Sequence, residues 1–133
     1  EVQAVFLLYG VYDLNGILKN PLVRELTGGF RPEDSPSVYE FFSPISHIDG
    51  SEPPTFVKHG TADRMVPVLQ AEALVEALRD AGVPVIFTQV WEGVHGFFKL
   101  RPGTRPMTYQ TIGHFFQTEL KSIPEQLAAP GAA

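Results

Sequence analysis

The chain opens on an almost unbroken apolar run, Val2 to Tyr9 (VQAVFLLY), ended by Gly10. A run of this kind without polar alternation predicts a strand covered on both faces, as in a parallel sheet. Nothing ahead of it reads as a cap, lead-in or covering helix, so the chain is expected to be a fragment that starts inside a sheet. From Asp13 to Pro54 the pattern breaks up. Asn20-Pro21, Gly28-Gly29, Pro32, Pro36, Pro44 and Pro53-Pro54 divide it into turns and short helical pieces, a long crossover. Within it, SPSVYEFFSP predicts one short helix with Ser35 as N-cap, Pro36 at the first helical position and Pro44 as the stop, presenting Val38, Phe41 and Phe42. TFVKH, Thr55 to His59, predicts a short strand launched by the two prolines.

From Pro67 the period becomes helical. Ala71, Leu74, Val75, Leu78 and Ala81 fall on one face, Glu72, Glu76, Arg79 and Asp80 on the other, and Gly82 supplies a left-handed stop. Val83 to Trp91 (VPVIFTQVW) then reads as a strand. Strand, helix and strand within about 40 residues predict a right-handed βαβ unit whose parallel strands are neighbours or near-neighbours. Met107, Ile112, Phe115, Phe116 and Leu120 predict a covering helix over Pro106 to Ile123, with Gly113 as its weak point; residues 124–133 have no apolar period and are expected to be a disordered tail. The fold class is therefore α/β, three parallel strands with covering helices, in a single domain over residues 1–123.

Composition narrows the partners. At 133 residues and 44% apolar content the chain suits one globular unit with a real core. Its apolar runs fall far short of the about 20 residues a membrane span requires, and its start has no signal-sequence pattern. A formal charge of -5, with ten Lys plus Arg scattered singly, provides no basic stripe and argues against nucleic acid. The absence of cysteine excludes a disulfide scaffold, a thiolate metal cage and a thiol nucleophile, and leaves the compartment open, the cytoplasm being slightly favoured.

Parallel strands joined by a crossover send the loops at their carboxyl ends to the same rim of the sheet. Asp63, in HGTADRMVP, follows His59 by four residues; His95, in WEGVHGF, follows Trp91 by four. With neighbouring strands about 4.8 Å apart, the Asp63 carboxylate is within reach of the His95 Nδ1 proton, where it would hold the tautomer and support an imidazolium formed in catalysis. The carboxyl rim is also where open α/β sheets bind ligands.

The segment PPTFVKHGTADRMVPVLQAEALVEALRDAGVPVIFTQVWEGVHGF resembles the acid-to-histidine part of the α/β-hydrolase superfamily, above all its carboxylesterase, lipase and related serine-peptidase branches. The matching residues are His59, Gly60, Asp63, Val66, Pro67, Gly82, Gly93, His95, Gly96 and Phe97, and AVFLLYGVYDL resembles the strand after the nucleophile elbow of such enzymes. The resemblance implies that the chain is the carboxyl-terminal part of an α/β-hydrolase acting on a small-molecule ester, with Asp63 as triad acid and His95 as general base. The nucleophile it implies belongs in a G-x-S-x-G turn upstream. Ser35, Ser37, Ser43, Ser46, Ser51 and Ser122 have no such setting, so the serine is expected outside this chain.

Each residue also has a plainer reading. Asp63 alone could favour the positive end of the following helix, and His95 alone could be a solvated loop residue; their ordering and the surrounding glycines favour the pair. His59 is expected to hydrogen-bond within its loop rather than react. Nitrogen and oxygen donors from His59, Asp63 and His95 would suit zinc, but their spacing matches no metal motif, so neither metal nor cofactor is expected. Asp13 is expected to brace the loop after the first strand, and Glu92 to be a solvated acid. Phe41, Phe42, Phe97 and Phe98, with Trp91, could line an acyl pocket, although large aromatics more often fill cores. Two alternatives stay open: a serine peptidase of the same superfamily, and a non-catalytic assembly module whose exposed first strand pairs with a missing amino-terminal segment or a second copy of the chain.

Overall fold

In a computed structural model, residues 2–96 and 110–118 are described. Three strands, β1 (Val5–Leu8), β2 (Thr55–Gly60) and β3 (Val85–Val90), form a parallel sheet in the order β1-β2-β3. Val5 pairs with Thr55 and Thr55 with Val85, so all three strands start level. The prolines explain why the sheet starts there. Pro54 and Pro84 have no N–H to donate, but their carbonyls accept the first ladder bonds, from Val5 (3.0 Å) and Thr55 (2.9 Å). Both outer strands are shorter than the apolar runs that contain them: Val2 to Ala4, Val83 and Trp91 lie outside the strand limits. Trp91 is 82% exposed, so it belongs neither to the core nor to an aromatic pocket wall.

Between β2 and β3 runs α1 of the βαβ unit, Leu69–Asp80. Its apolar stripe is the expected one: Ala71, Leu74, Val75 and Leu78 are buried and pack with Val57, Val83 and Tyr12 as the core on one face of the sheet. Gly82 (φ 78) ends the helix, with Val83 N–H bonded back to Leu78 and Gly82 N–H to Arg79, a Schellman arrangement. The opposite face is covered by residues 110–118 of the helix expected over Pro106 to Ile123. Phe115 is buried there, edge-on to the stacked pair Phe6 and Phe56 on adjacent strands. The remainder of that helix and the tail 124–133 lie outside the described residues.

The crossover from β1 carries two short helices, Pro21–Leu26 and Pro36–Phe42, and two 3-10 turns, Leu14–Ile17 and Pro44–His47. They close over a second small core of Leu14, Ile17, Val23 and Tyr39. Asp13 braces its start as expected, its Oδ1 accepting the Asn15 amide. The Pro36 helix differs from expectation in two ways. Ser35 stands at its N-cap without a side-chain cap bond, and the inward residue is Tyr39, not Phe41 or Phe42. A seven-residue helix offers one inward position to so small a core; the Tyr39 ring fills it while its hydroxyl donates to the Phe30 carbonyl, which leaves Phe41 and Phe42 turned outward.

Candidate active site

Asp63 follows the last residue of β2 by three positions and His95 follows that of β3 by five, and the two loops are stitched to each other. Thr61 N–H bonds to Val90 O (3.0 Å), Ala62 N–H to Gly93 O (2.9 Å), and Glu92 N–H to Thr61 Oγ1 (2.9 Å). Gly60 makes this possible: a Cβ there would collide with the Gly93 carbonyl, so only hydrogen lets the second loop lie across the end of β2. Between the loops, Asp63 Oδ2 accepts a hydrogen bond from His95 Nδ1 at 2.8 Å.

The carboxylate is held from several sides. Oδ1 accepts the amides of Met65 (3.0 Å) and Val66 (2.9 Å), an Asx-type turn within its own loop. The Asp63 side chain is fully buried, whereas that of His95 is 29% exposed. Asp63 therefore does not act as the N-terminal acid of a helix, since α1 begins only at Leu69. His59 is fully buried behind it, its Nε2 donating to Val66 O (2.9 Å) and lying 3.4 Å from Asp63 Oδ2. With Nδ1–H given to Asp63, His95 keeps the Nε2 lone pair free, and no hydrogen bond engages that nitrogen among the described residues. Such a pair can take a proton from a hydroxyl and return it.

An open cleft of about 430 Å³ runs beside the imidazole, lined by Ala62, Arg64, Met65, Val94 and His95. Phe41 and Phe42 are not among its walls; Phe41 instead packs edge-on against Phe42 and His47. Phe97 and Phe98 lie outside the described residues. Among those described, no cluster of His, Cys, Asp and Glu is arranged to hold a metal, and no helix is long and apolar enough to cross a membrane.

Two residues of the site escaped the sequence reading. Tyr9, directly after β1, adopts φ 38 and sets its ring edge-on to His95 with centroids 4.8 Å apart. A tyrosine in this left-handed region is uncommon, and such backbones gather at functional rims. Gln70 is buried at the start of α1, its Oε1 accepting the amides of Tyr12 (2.9 Å) and Asp13 (2.8 Å) and its Nε2 donating to Asp13 O. It ties the exit of β1 to the helix that follows the Asp63 loop. A polar residue four before Leu74, on the apolar stripe, was the available signal.

The prolyl oligopeptidase family matches this chain over residues 3–122. The chain belongs to that family. Among curated relatives, this prolyl oligopeptidase-family chain is similar to the esterase LipQ of Mycobacterium tuberculosis, 36% identical over 120 residues that cover 86% of the chain and 28% of LipQ. It is also similar to the probable carboxylic ester hydrolase LipM of the same organism, 33% identical over the whole chain and 32% of LipM. The chain thus spans less than a third of the length of either. Among solved structures, a truncated carbohydrate esterase from gut microbiota superposes with a TM-score of 0.77 at 25% identity, covering 90% of this chain and 43% of that one. The three parallel strands and their helices are accordingly part of an α/β-hydrolase sheet, and the family is one of hydrolases that includes esterases.

Proposed function

We propose that this chain is the carboxyl-terminal portion of a serine hydrolase of carboxylic esters, supplying the triad acid Asp63 and the general base His95 to a serine carried on a preceding segment. The observation that carries the reading is the 2.8 Å bond from His95 Nδ1 to a carboxylate whose other oxygen is already held by two backbone amides. In the first half-reaction His95 Nε2 takes the serine hydroxyl proton as the oxygen attacks the ester carbonyl. The imidazolium, supported by Asp63, then gives that proton to the departing alkoxide, and the alcohol leaves. Water repeats the sequence on the acyl-enzyme, and the acid and the free serine result. The cleft beside His95, walled by Ala62, Met65 and Val94 with Arg64, is where an apolar portion of the ester would lie.

Ser43, the most buried of the described serines, is committed elsewhere, its Oγ accepting the Leu14 amide at 2.9 Å. Ester rather than peptide substrates are favoured by the relatives LipQ and LipM, named for ester hydrolysis. The test is a fluorophosphonate probe applied to the protein carrying both the nucleophile segment and this chain. Labelling that falls at least about 100-fold in His95→Ala supports the reading; equal labelling of parent and variant refutes it, and no labelling of either favours an assembly module.

A further inference from the structure

His59 is an odd residue to bury. It is fully excluded from solvent at the end of the central strand, and its Nδ1 has no hydrogen-bond partner among the described residues. A leucine would fill similar space without stranding an imidazole nitrogen away from water. The other nitrogen is engaged on the acid loop. Val66 offers a carbonyl, an acceptor only, so the 2.9 Å contact requires the hydrogen of His59 on Nε2. Nε2 itself lies 3.4 Å from Asp63 Oδ2, a close polar contact beside the hydrogen bond to Val66. Val66 in turn gives its amide to Asp63 Oδ1 at 2.9 Å. The turn Asp63 to Val66 is therefore gripped at its far end by His59 through the Val66 carbonyl, and Oδ2 sits between two imidazoles, His95 on the cleft side and His59 behind.

We propose that His59 is a positioning residue for the acid of the hydrolase site: its Nε2–H, donated to Val66 O, anchors the turn whose Val66 amide holds Oδ1, and its ring backs the carboxylate so that Oδ2 faces His95 Nδ1. The inference rests on Asp63 and His95 acting as acid and base. Two things follow when the donor is removed. The Val66 peptide loses its anchor, and with it the amide that holds Oδ1 becomes free to swing. Oδ2 loses its rear neighbour, and the carboxylate gains rotational freedom about its Cβ–Cγ bond. His95 is then no longer confined to the tautomer that leaves Nε2 able to accept a proton.

The test compares three substitutions. His59→Gln places an amide N–H near the position of Nε2, His59→Asn reaches only as far as Nδ1, and His59→Leu has no donor. In the protein that includes the nucleophile segment, long-range proton–nitrogen spectra of the imidazoles read the tautomer of His95 directly, independently of any activity. The parent is expected to show His59 as the Nε2–H form and His95 as the Nδ1–H form. His95 is expected to keep its single form in His59→Gln and to become a mixture in His59→Leu and His59→Asn; if the Leu variant does not fold, the Asn and Gln variants make the same comparison.

A His95 spectrum that is the same in the folded Asn or Leu variant as in the parent overturns the proposal, as does a parent in which His59 carries its hydrogen on Nδ1. In the protein that includes the nucleophile segment, kcat for an ester is expected to fall roughly 10- to 100-fold in the Asn and Leu variants, with KM little changed and most of the loss recovered in the Gln variant. A parent with no hydrolase activity would defeat the proposed function while the spectra still decided the positioning of Asp63.

Discussion

Replacing Asp63 by Asn separates the two tasks of its carboxylate. Oδ1 accepts the Met65 and Val66 amides at 3.0 and 2.9 Å, and an amide oxygen in the same place accepts both, so the turn survives at a cost of about 1–2 kcal/mol. The other position becomes an NH₂ that faces His95 Nδ1 at 2.8 Å and His59 Nε2 at 3.4 Å. Turning the amide over is worse, since it would point donors at two backbone N–H groups. His95 must then accept at Nδ1 and carry its hydrogen on Nε2, the wrong tautomer for taking a proton from a hydroxyl.

The charge is lost as well. At an effective dielectric of about 20, unit charges about 4 Å apart attract by about 4 kcal/mol. That is roughly 10³ in rate at about 1.4 kcal/mol per factor of ten. The assay is steady-state ester hydrolysis by the protein carrying the nucleophile segment, beside thermal unfolding of the same samples. Asp63→Asn is expected to lower kcat by about three orders of magnitude with KM nearly unchanged and a cooperative melt retained. A folded Asn variant within about tenfold of the parent kcat would refute the roles given to both residues.

Gln70→Ala removes the acceptor of the Tyr12 and Asp13 amides and is expected to cost about 2–3 kcal/mol in urea unfolding; a loss below about 0.5 kcal/mol would mean that the β1 exit loop finds its amides another acceptor. Tyr12 carries a pH dependence. Burial pushes its phenol from 10.0 up to about 12, whereas the unfolded chain ionises at the ordinary value, so its contribution is intact below pH 10 and is lost as pH rises through 12. The gap in unfolding free energy between Tyr12→Phe and the parent is expected to widen by roughly 2 kcal/mol, in favour of Phe, between about pH 9 and about pH 11.5. A constant gap would show that the native phenol ionises as freely as the unfolded one.

Several features were legible in the chain because they depend on neighbours in sequence. The Leu69–Asp80 helix announces itself by Ala71, Leu74, Val75 and Leu78 at helical spacing and by Gly82 at its stop. Two β-rich segments on either side of such a helix can pair in parallel through a crossover, which sends the Asp63 and His95 loops to one rim. The misplaced residues needed information from elsewhere in the chain. Nothing in PSVYEFF shows that Tyr39 rather than Phe41 turns inward; that follows from a cavity built by Leu14, Ile17 and Val23, which lie on other segments. The start of the ladder is marked by the carbonyls of Pro54 and Pro84, which act across the sheet rather than along it.

The sequence by itself therefore determined the order of elements, the parallel βαβ unit and the candidacy of Asp63 and His95, because hydrophobic period and turn chemistry are local and topology leaves few ways to join parallel strands. Only the tertiary structure decided how the site is held: Gly60 under the Gly93 carbonyl, Tyr9 against the His95 ring, Gln70 on the β1 exit, and His59 behind the acid. Each of these is a contact between segments far apart in the chain, or a choice between two imidazole nitrogens. A residue's type states what it can donate or accept, but its partner is selected by the packing that brings one segment against another.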